Sequence, residues 1–181
     1  MIIPMIVLLA LFLLPVVGST SVLGSSQGCL SDDPSRCNGM WWGQYLGELK
    51  QMRFVGSDPT NIGELFYVSQ GDVLELGDAK LDYVQYGFWR EIYSSILFGT
   101  KGVSNWEALR SICFANLEGW HKPYRYIEKY YWVGKHTAMT LEYNETQSDG
   151  RLLVYSKTIH ERRLASEGKG SQSRSSGRFW R

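Results

Sequence analysis

The side chains best suited to proton transfer are three histidines, His121, His136 and His160. Imidazole is the side chain that ordinarily changes charge near neutral pH. Two of the three lie in one aromatic, basic stretch, Ala115 to Met139, reading ANLEGWHKPYRYIEKYYWVGKHTAM. His121 stands beside Lys122 and His136 beside Lys135, with Glu118 and Glu128 close in sequence. This set could hydrolyse RNA. One imidazole would take the 2′-hydroxyl proton, the other would protonate the leaving oxygen, and a lysine would steady the phosphorane charge. His121, His136 and Lys135 are thus the catalytic candidates. The simpler reading, which we favour, makes them surface residues flanking an aromatic cluster.

The run YYWVGKHT resembles a histidine motif of the T2 ribonucleases, in which Trp, Lys and His follow in similar order. It departs from that motif in two ways. Trp132 and Lys135 stand one residue too far apart, and Thr137 occupies a glycine position. The family's second histidine motif and its disulfide cysteines are absent. No GxSxG, HExxH, P-loop or GxGxxG pattern occurs. Cys113 paired with a histidine could be a nucleophile, but its place on an apolar helical stripe argues for a packed thiol. The segment also interleaves bases and rings, as a nucleic-acid grip does: Tyr124, Tyr126 and Glu128 alternate with Arg125, Ile127 and Lys129. An amphipathic strand looks the same, so nucleic acid is not the expected partner.

Two Gly-Trp steps, in NGMWWGQYLGEL and in NLEGWHKPYRY, resemble the Gly-x-Trp opening of the calycin β-barrels, the group of lipocalins, nitrobindin-like proteins and phycobiliprotein lyases. LDYVQYGFW is similar to a mid-barrel strand of the nitrobindin-like branch. Two openings occur where a barrel needs one, and the chain after Trp120 is short for closing a barrel. The resemblance implies a cavity for a small apolar ligand, with Trp42, Trp120, Tyr124, Tyr126 and Trp132 as its lining. His160 is the only positional candidate for a haem ligand. No cofactor and no metal are expected.

Composition sets where these residues act. The 181-residue chain is 44% hydrophobic and 14% aromatic with a net charge of +1, which suits one packed domain plus extensions. Residues 157–181 carry seven Lys/Arg against two acidic residues, so a mildly acidic body bears a basic tail. MIIPMIVLLALFLLPVV is an uncharged apolar run followed by small residues, the pattern of a cleaved signal over residues 1–18. With Pro4 and Pro15 it is a short candidate for spanning about 30 Å of hydrocarbon, so an uncleaved anchor is the lesser alternative. No other stretch reads as a membrane span. A secretory route permits a disulfide, and Cys29 and Cys37, bracketing LSDDPSR, are the natural pair. Cys113 is left as a thiol. Asn144, in NET, is an N-glycosylation candidate.

The elements that must position these groups read as follows. Residues 19–37 form a lead-in loop. GMWWGQYLGELKQMRF is helix or strand. ELFYVS, DVLELG, LDYVQYGFW and EIYSSILFG form a meander. SNWE, from Ser104 to Glu107, predicts a capping box before a helix whose stripe is Trp106, Leu109, Cys113 and Leu117. HTAMTLEY and RLLVYSKTI form a hairpin, with Asp149-Gly150 as its turn. Residues 164–181 lack apolar content and read as disordered. The expected fold is β-rich α+β over residues 38–163: an antiparallel meander or small barrel packed on one amphipathic helix. The expected function is a secreted, non-enzymatic binding or interaction protein, holding a small apolar ligand or an extracellular protein partner. A secreted His-dependent ribonuclease or RNA-binding protein is the alternative.

Overall fold

The computed structural model describes residues 26–31, 34–57 and 63–175. The expected signal segment, residues 19–25, 32–33 and 58–62, and the last six residues lie outside them.

The centre is a seven-stranded antiparallel sheet. Its strands are β3 (Met52–Ser57), β4 (Glu64–Ser69), β7 (Tyr83–Trp89), β8 (Ile92–Lys101), β9 (Lys129–Val133), β10 (Thr137–Asn144) and β11 (Asp149–Ser156). They lie in the order β3-β4-β7-β8-β11-β10-β9. Two small hairpins stand apart: β1 (Arg36–Cys37) with β2 (Met40–Trp41), and β5 (Glu75–Leu76) with β6 (Ala79–Lys80). The helices are α1 (Val103–Asn116) and α2 (Lys157–Ser175).

The expectation of a β-rich α+β fold with an antiparallel meander holds; the small barrel does not. β3 and β9 end the sheet at opposite edges. Helix α1 fills the face that a barrel would have closed upon. Its Trp106, Leu109 and Cys113, with Leu117 just beyond it, join Val84, Tyr86, Phe88, Phe98, Leu152 and Met139 in one buried cluster. Alternation along the strands sends the neighbouring residues to the other face. There Glu64, Ser95, Leu153 and Tyr155 meet the first turns of α2, through Ile159 and Arg163.

Local chemistry explains most of the elements. The β1–β2 loop is Asn38-Gly39, both at positive φ (49° and 82°), the mirror-image turn that suits strand twist. The β7–β8 loop adopts the same left-handed pair with Arg90 and Glu91, at φ 49° and 64°, a turn its residue types do not announce. Asp149 and Gly150 are not the turn of the last hairpin. They pair within β11, and the chain reverses over 145–148. Gly150 is there for space: a Cβ would stand 2.7 Å from the Trp106 ring and 2.7 Å from Thr100 Oγ1. DVLELG does not join the meander. Only Glu75 and Leu76 of it form a strand, and Asp72 accepts a 2.8 Å hydrogen bond from the Tyr86 hydroxyl. Asn38 donates to that same hydroxyl.

Helix α1 begins one residue before Ser104, with Gly102 as its N-cap and no side-chain cap bond, so the SNWE capping box does not form. Its apolar stripe is buried as expected. The final strand ends at Ser156, and residues 157–175 are helical where the sequence reads first strand and then disorder.

Cys29 and Cys37 form the expected disulfide. Closing so small a loop stabilises by about 2–3 kcal/mol in the chain-entropy account. Cys113 is a buried free thiol, and burial pushes its pKa up to about 12. A thiolate is the reactive form. The native protein should therefore give no prompt reaction with a thiol reagent, and one equivalent once unfolded without reductant. Rapid labelling of the native protein would contradict this packing.

Candidate functional site

The catalytic candidates occupy two separate places. His121 is exposed and held by its backbone: its N–H donates to the Tyr131 carbonyl (3.0 Å) and its carbonyl accepts from the Tyr131 N–H (2.9 Å). This bridge caps part of the outer edge of β9. Lys135 and His136 are exposed in the β9–β10 turn, where the His136 carbonyl accepts from the Lys157 N–H at the start of α2 (2.9 Å). None of the three lines either of the two cavities described below.

The five candidate ligand-binding aromatics divide by chemistry. The three tryptophans are packing residues, each giving its indole N–H to a backbone carbonyl. Trp42 stacks on Tyr93 at 4.8 Å and donates to Pro34 O (2.7 Å). Trp120 stacks on Phe114 at 5.7 Å and donates to Cys113 O (3.3 Å). Trp132 is buried in the core cluster and donates to Glu118 O (2.9 Å). The two tyrosines face solvent, Tyr124 being 55% and Tyr126 91% exposed.

Tyr126 leads to a groove of about 330 Å³ at the turn end of the β10–β11 hairpin. Its apolar wall is Tyr126, Ile127 and Tyr143; its polar lining is Glu128, Glu142, Asn144, Glu145, Asp149 and Arg151. The wall is held by backbone. Tyr143 N–H donates to Glu128 O (2.8 Å), which ties the loop before β9 to β10. Behind it, the Tyr143 ring stacks on Trp106 at 5.2 Å.

Most of the carboxylates here have partners. Glu128 accepts from Lys122 Nζ (2.6 Å) and the Tyr130 hydroxyl (2.5 Å), and Arg110 stands 4.0 Å away. The Lys122 hydrogen bond, more than any other contact, holds the Glu128 carboxyl below its usual range. Glu142 pairs with Lys129 at 2.8 Å. Asp149 differs. The residue is 6% exposed; its Oδ2 accepts from Arg151 Nη2 (3.0 Å), and its buried Oδ1 has no partner. The buried Arg151 Nε also lacks one. The Asp-Gly pair reads as turn chemistry in sequence, which hides Asp149. Only its pairing inside β11 makes it a buried carboxylate.

A second polar cluster lies under α2. Glu64 (2% exposed) pairs with Arg163 (6% exposed) at 2.8 Å. Ser94 and Ser95 each donate to Glu64 Oε1 at 2.7 Å. His160 Nδ1 lies 2.8 Å from Arg163 Nη2, and its ring lies 5.0 Å from Tyr155. These residues, with Trp89, Leu153 and Ile159, surround a cavity of about 110 Å³. Both serines give their protons to a carboxylate that Arg163 already neutralises, so the cluster anchors a helix.

Among the described residues, no group of three or more His, Cys, Asp or Glu is placed to hold a metal ion. No protein-family model, curated protein or solved structure matches the chain.

Proposed function

We propose that the chain is a secreted binding protein that acts without catalysis and meets its partner at the Tyr126 groove. The observation that carries this reading is the exposure of Tyr126, beside Ile127 at 51%, on the wall of a concave, mixed apolar and acidic surface. An aromatic ring left in water beside a concavity is what recognition sites present. The Cys29–Cys37 disulfide supports an oxidising destination, and no helix among the described residues is long and apolar enough to cross a membrane. Asn144, exposed at the end of β10, is a feasible glycan acceptor at the groove's rim.

A small-molecule screen read by amide NMR tests this. Responding compounds should shift Tyr126, Ile127 and Tyr143 together, and Tyr126→Ala should weaken the responders by about tenfold or more, the loss of one aromatic contact. RNA should remain intact. Hydrolysis of RNA by the wild type but not by His121→Ala or His136→Ala would replace this reading with the nuclease one.

A further inference from the structure

We propose that Asn144 carries an N-linked glycan whose first N-acetylglucosamine lies in the groove against Tyr126, so that the modified chain holds the groove covered and the unmodified chain holds it open. This rests on the secretory route and on the groove being the binding surface, and adds how access to that surface is regulated.

The starting point is the Asn144 side chain. Of the five asparagines, only Asn144 opens an acceptor triplet, Asn144-Glu145-Thr146, with no proline in the middle. All three residues are exposed, Asn144 as the last residue of β10 and the other two in the turn that follows. The backbone holds the amide by its oxygen: Asn144 Oδ1 accepts from the Gln147 N–H at 3.2 Å. The nitrogen, which is the atom modified, meets Gln147 Oε1 at 3.5 Å, too long for a strong hydrogen bond. A sugar there gives up little. The transfer is a substitution at the sugar's anomeric carbon, with a lipid-diphosphate-linked oligosaccharide as donor. The bond from that carbon to the diphosphate oxygen breaks, and the lipid diphosphate leaves with the electron pair. Nδ2 bonds the carbon and gives up one of its two protons, with no change of oxidation state.

Asn144 itself lines the groove, so a sugar attached to it starts at the rim. The tether makes binding local, and a weak contact then suffices to hold the ring. The lining suits a neutral, polyhydroxylated ring. Arg125 lies over the Tyr126 ring at 5.8 Å, which leaves the ring's second face for the apolar side of a pyranose. Ile127 supplies apolar surface for the acetamido methyl, and the carboxylates of the lining accept from sugar hydroxyls. No net charge is asked of the ligand: Lys122 and Arg110 offset Glu128, Lys129 offsets Glu142, and Arg151 offsets Asp149. At about 330 Å³ the groove stands at the small end of ligand pockets, about 300–1,000 Å³, which fits a single ring better than a long chain.

The test uses the full chain secreted from a eukaryotic cell line, beside Asn144→Gln and Thr146→Ala, which lose the triplet, and Thr146→Ser, which keeps it. Mass spectrometry should find the glycan on the wild type and on Thr146→Ser, and on neither of the other two. A neutral gadolinium chelate in the solvent then reads the groove by NMR, since it broadens what water reaches. In the unmodified chains the Tyr126 ring should broaden at least as much as that of Tyr45, an exposed ring outside the groove. In the glycan-bearing chain the Tyr126 broadening should fall by about half, as the sugar covers one face of the ring, while Tyr45 does not change. Trimming the glycan to its first N-acetylglucosamine should keep that protection. Should both triplet variants fail to fold, enzymatic removal of the whole glycan from the folded wild type supplies the unmodified chain. A secreted wild type without a glycan overturns the proposal, and so does a glycan that leaves Tyr126 as accessible as in the unmodified chain. In either case the groove stands as a binding surface, because its compound screen needs no sugar. If no compound shifts the groove even in the unmodified chain, the binding reading fails whatever the sugar does. If the chain is retained by the cell, the proposal and the secreted-protein reading fail together.

Discussion

Replacing Arg163 by alanine lowers the stability of the fold by about 3–5 kcal/mol, the cost of leaving one partner of a buried ion pair alone. The Glu64 and Arg163 side chains are 3% and 7% exposed, so the native pair is almost wholly withdrawn from solvent. Ser94 and Ser95 would remain as the only donors on Glu64 Oε1, with nothing on Oε2. The position is also crowded. A Cβ on Gly87 would fall 2.6 Å from Glu64 Oε1 and 2.1 Å from Ser95 Oγ, so the carboxylate and the serine lie directly over this glycine. The double variant Glu64→Leu with Arg163→Met removes both charges and should recover most of the loss. Isosteric apolar replacement of a buried pair is often neutral or stabilising. Urea unfolding followed by circular dichroism gives both numbers. A loss below about 1 kcal/mol for Arg163→Ala would mean that α2 is not held by this pair.

This ion pair marks where sequence reading stops. Elements whose cause is local are legible in the chain: the stripe Trp106, Leu109, Cys113 and Leu117 of α1, the β-leaning runs of β4, β7 and β8, the last hairpin, and the Cys29–Cys37 bridge. Helix α2 is not, because the segment is glycine- and serine-rich and its anchor is a charge. Arg163 is buried only because Glu64, 99 residues earlier, meets it across the sheet. No periodicity records that partnership. The candidate site divides in the same way. Tyr124 and Tyr126 are legible as aromatics in a basic stretch. The exposure that separates them from Trp42, Trp120 and Trp132 depends on which carbonyls and rings the fold brings alongside. Asp149 is the furthest from reach. An Asp-Gly pair is ordinarily a turn, and here the pair lies in a strand with the Trp106 ring packed against residue 150.

That contact gives the second large effect. Trp106 is 3% exposed, lies between Tyr143 and Gly150, and fixes α1 to both strands of the last hairpin. Trp106→Ala should cost about 3–5 kcal/mol, the usual range for truncating a buried large aromatic. Because Tyr143 is both its stacking partner and a wall of the groove, ring signals of Tyr143 should broaden or shift in the same variant. A double-variant cycle isolates the contact. Gly150→Ala alone should destabilise, since its methyl would meet the indole at 2.7 Å in a packed interior. In the Trp106→Ala background the cavity admits that methyl, and a strand glycine is otherwise a weak choice that alanine improves. Gly150→Ala should then cost much less, or stabilise. The remaining approach to Thr100 Oγ1 can be relieved by rotation of that side chain. Simple additivity of the two changes, measured by urea unfolding, would show that something other than the indole keeps residue 150 a glycine. The route from helix packing to the seating of Asp149 would then have to be redrawn.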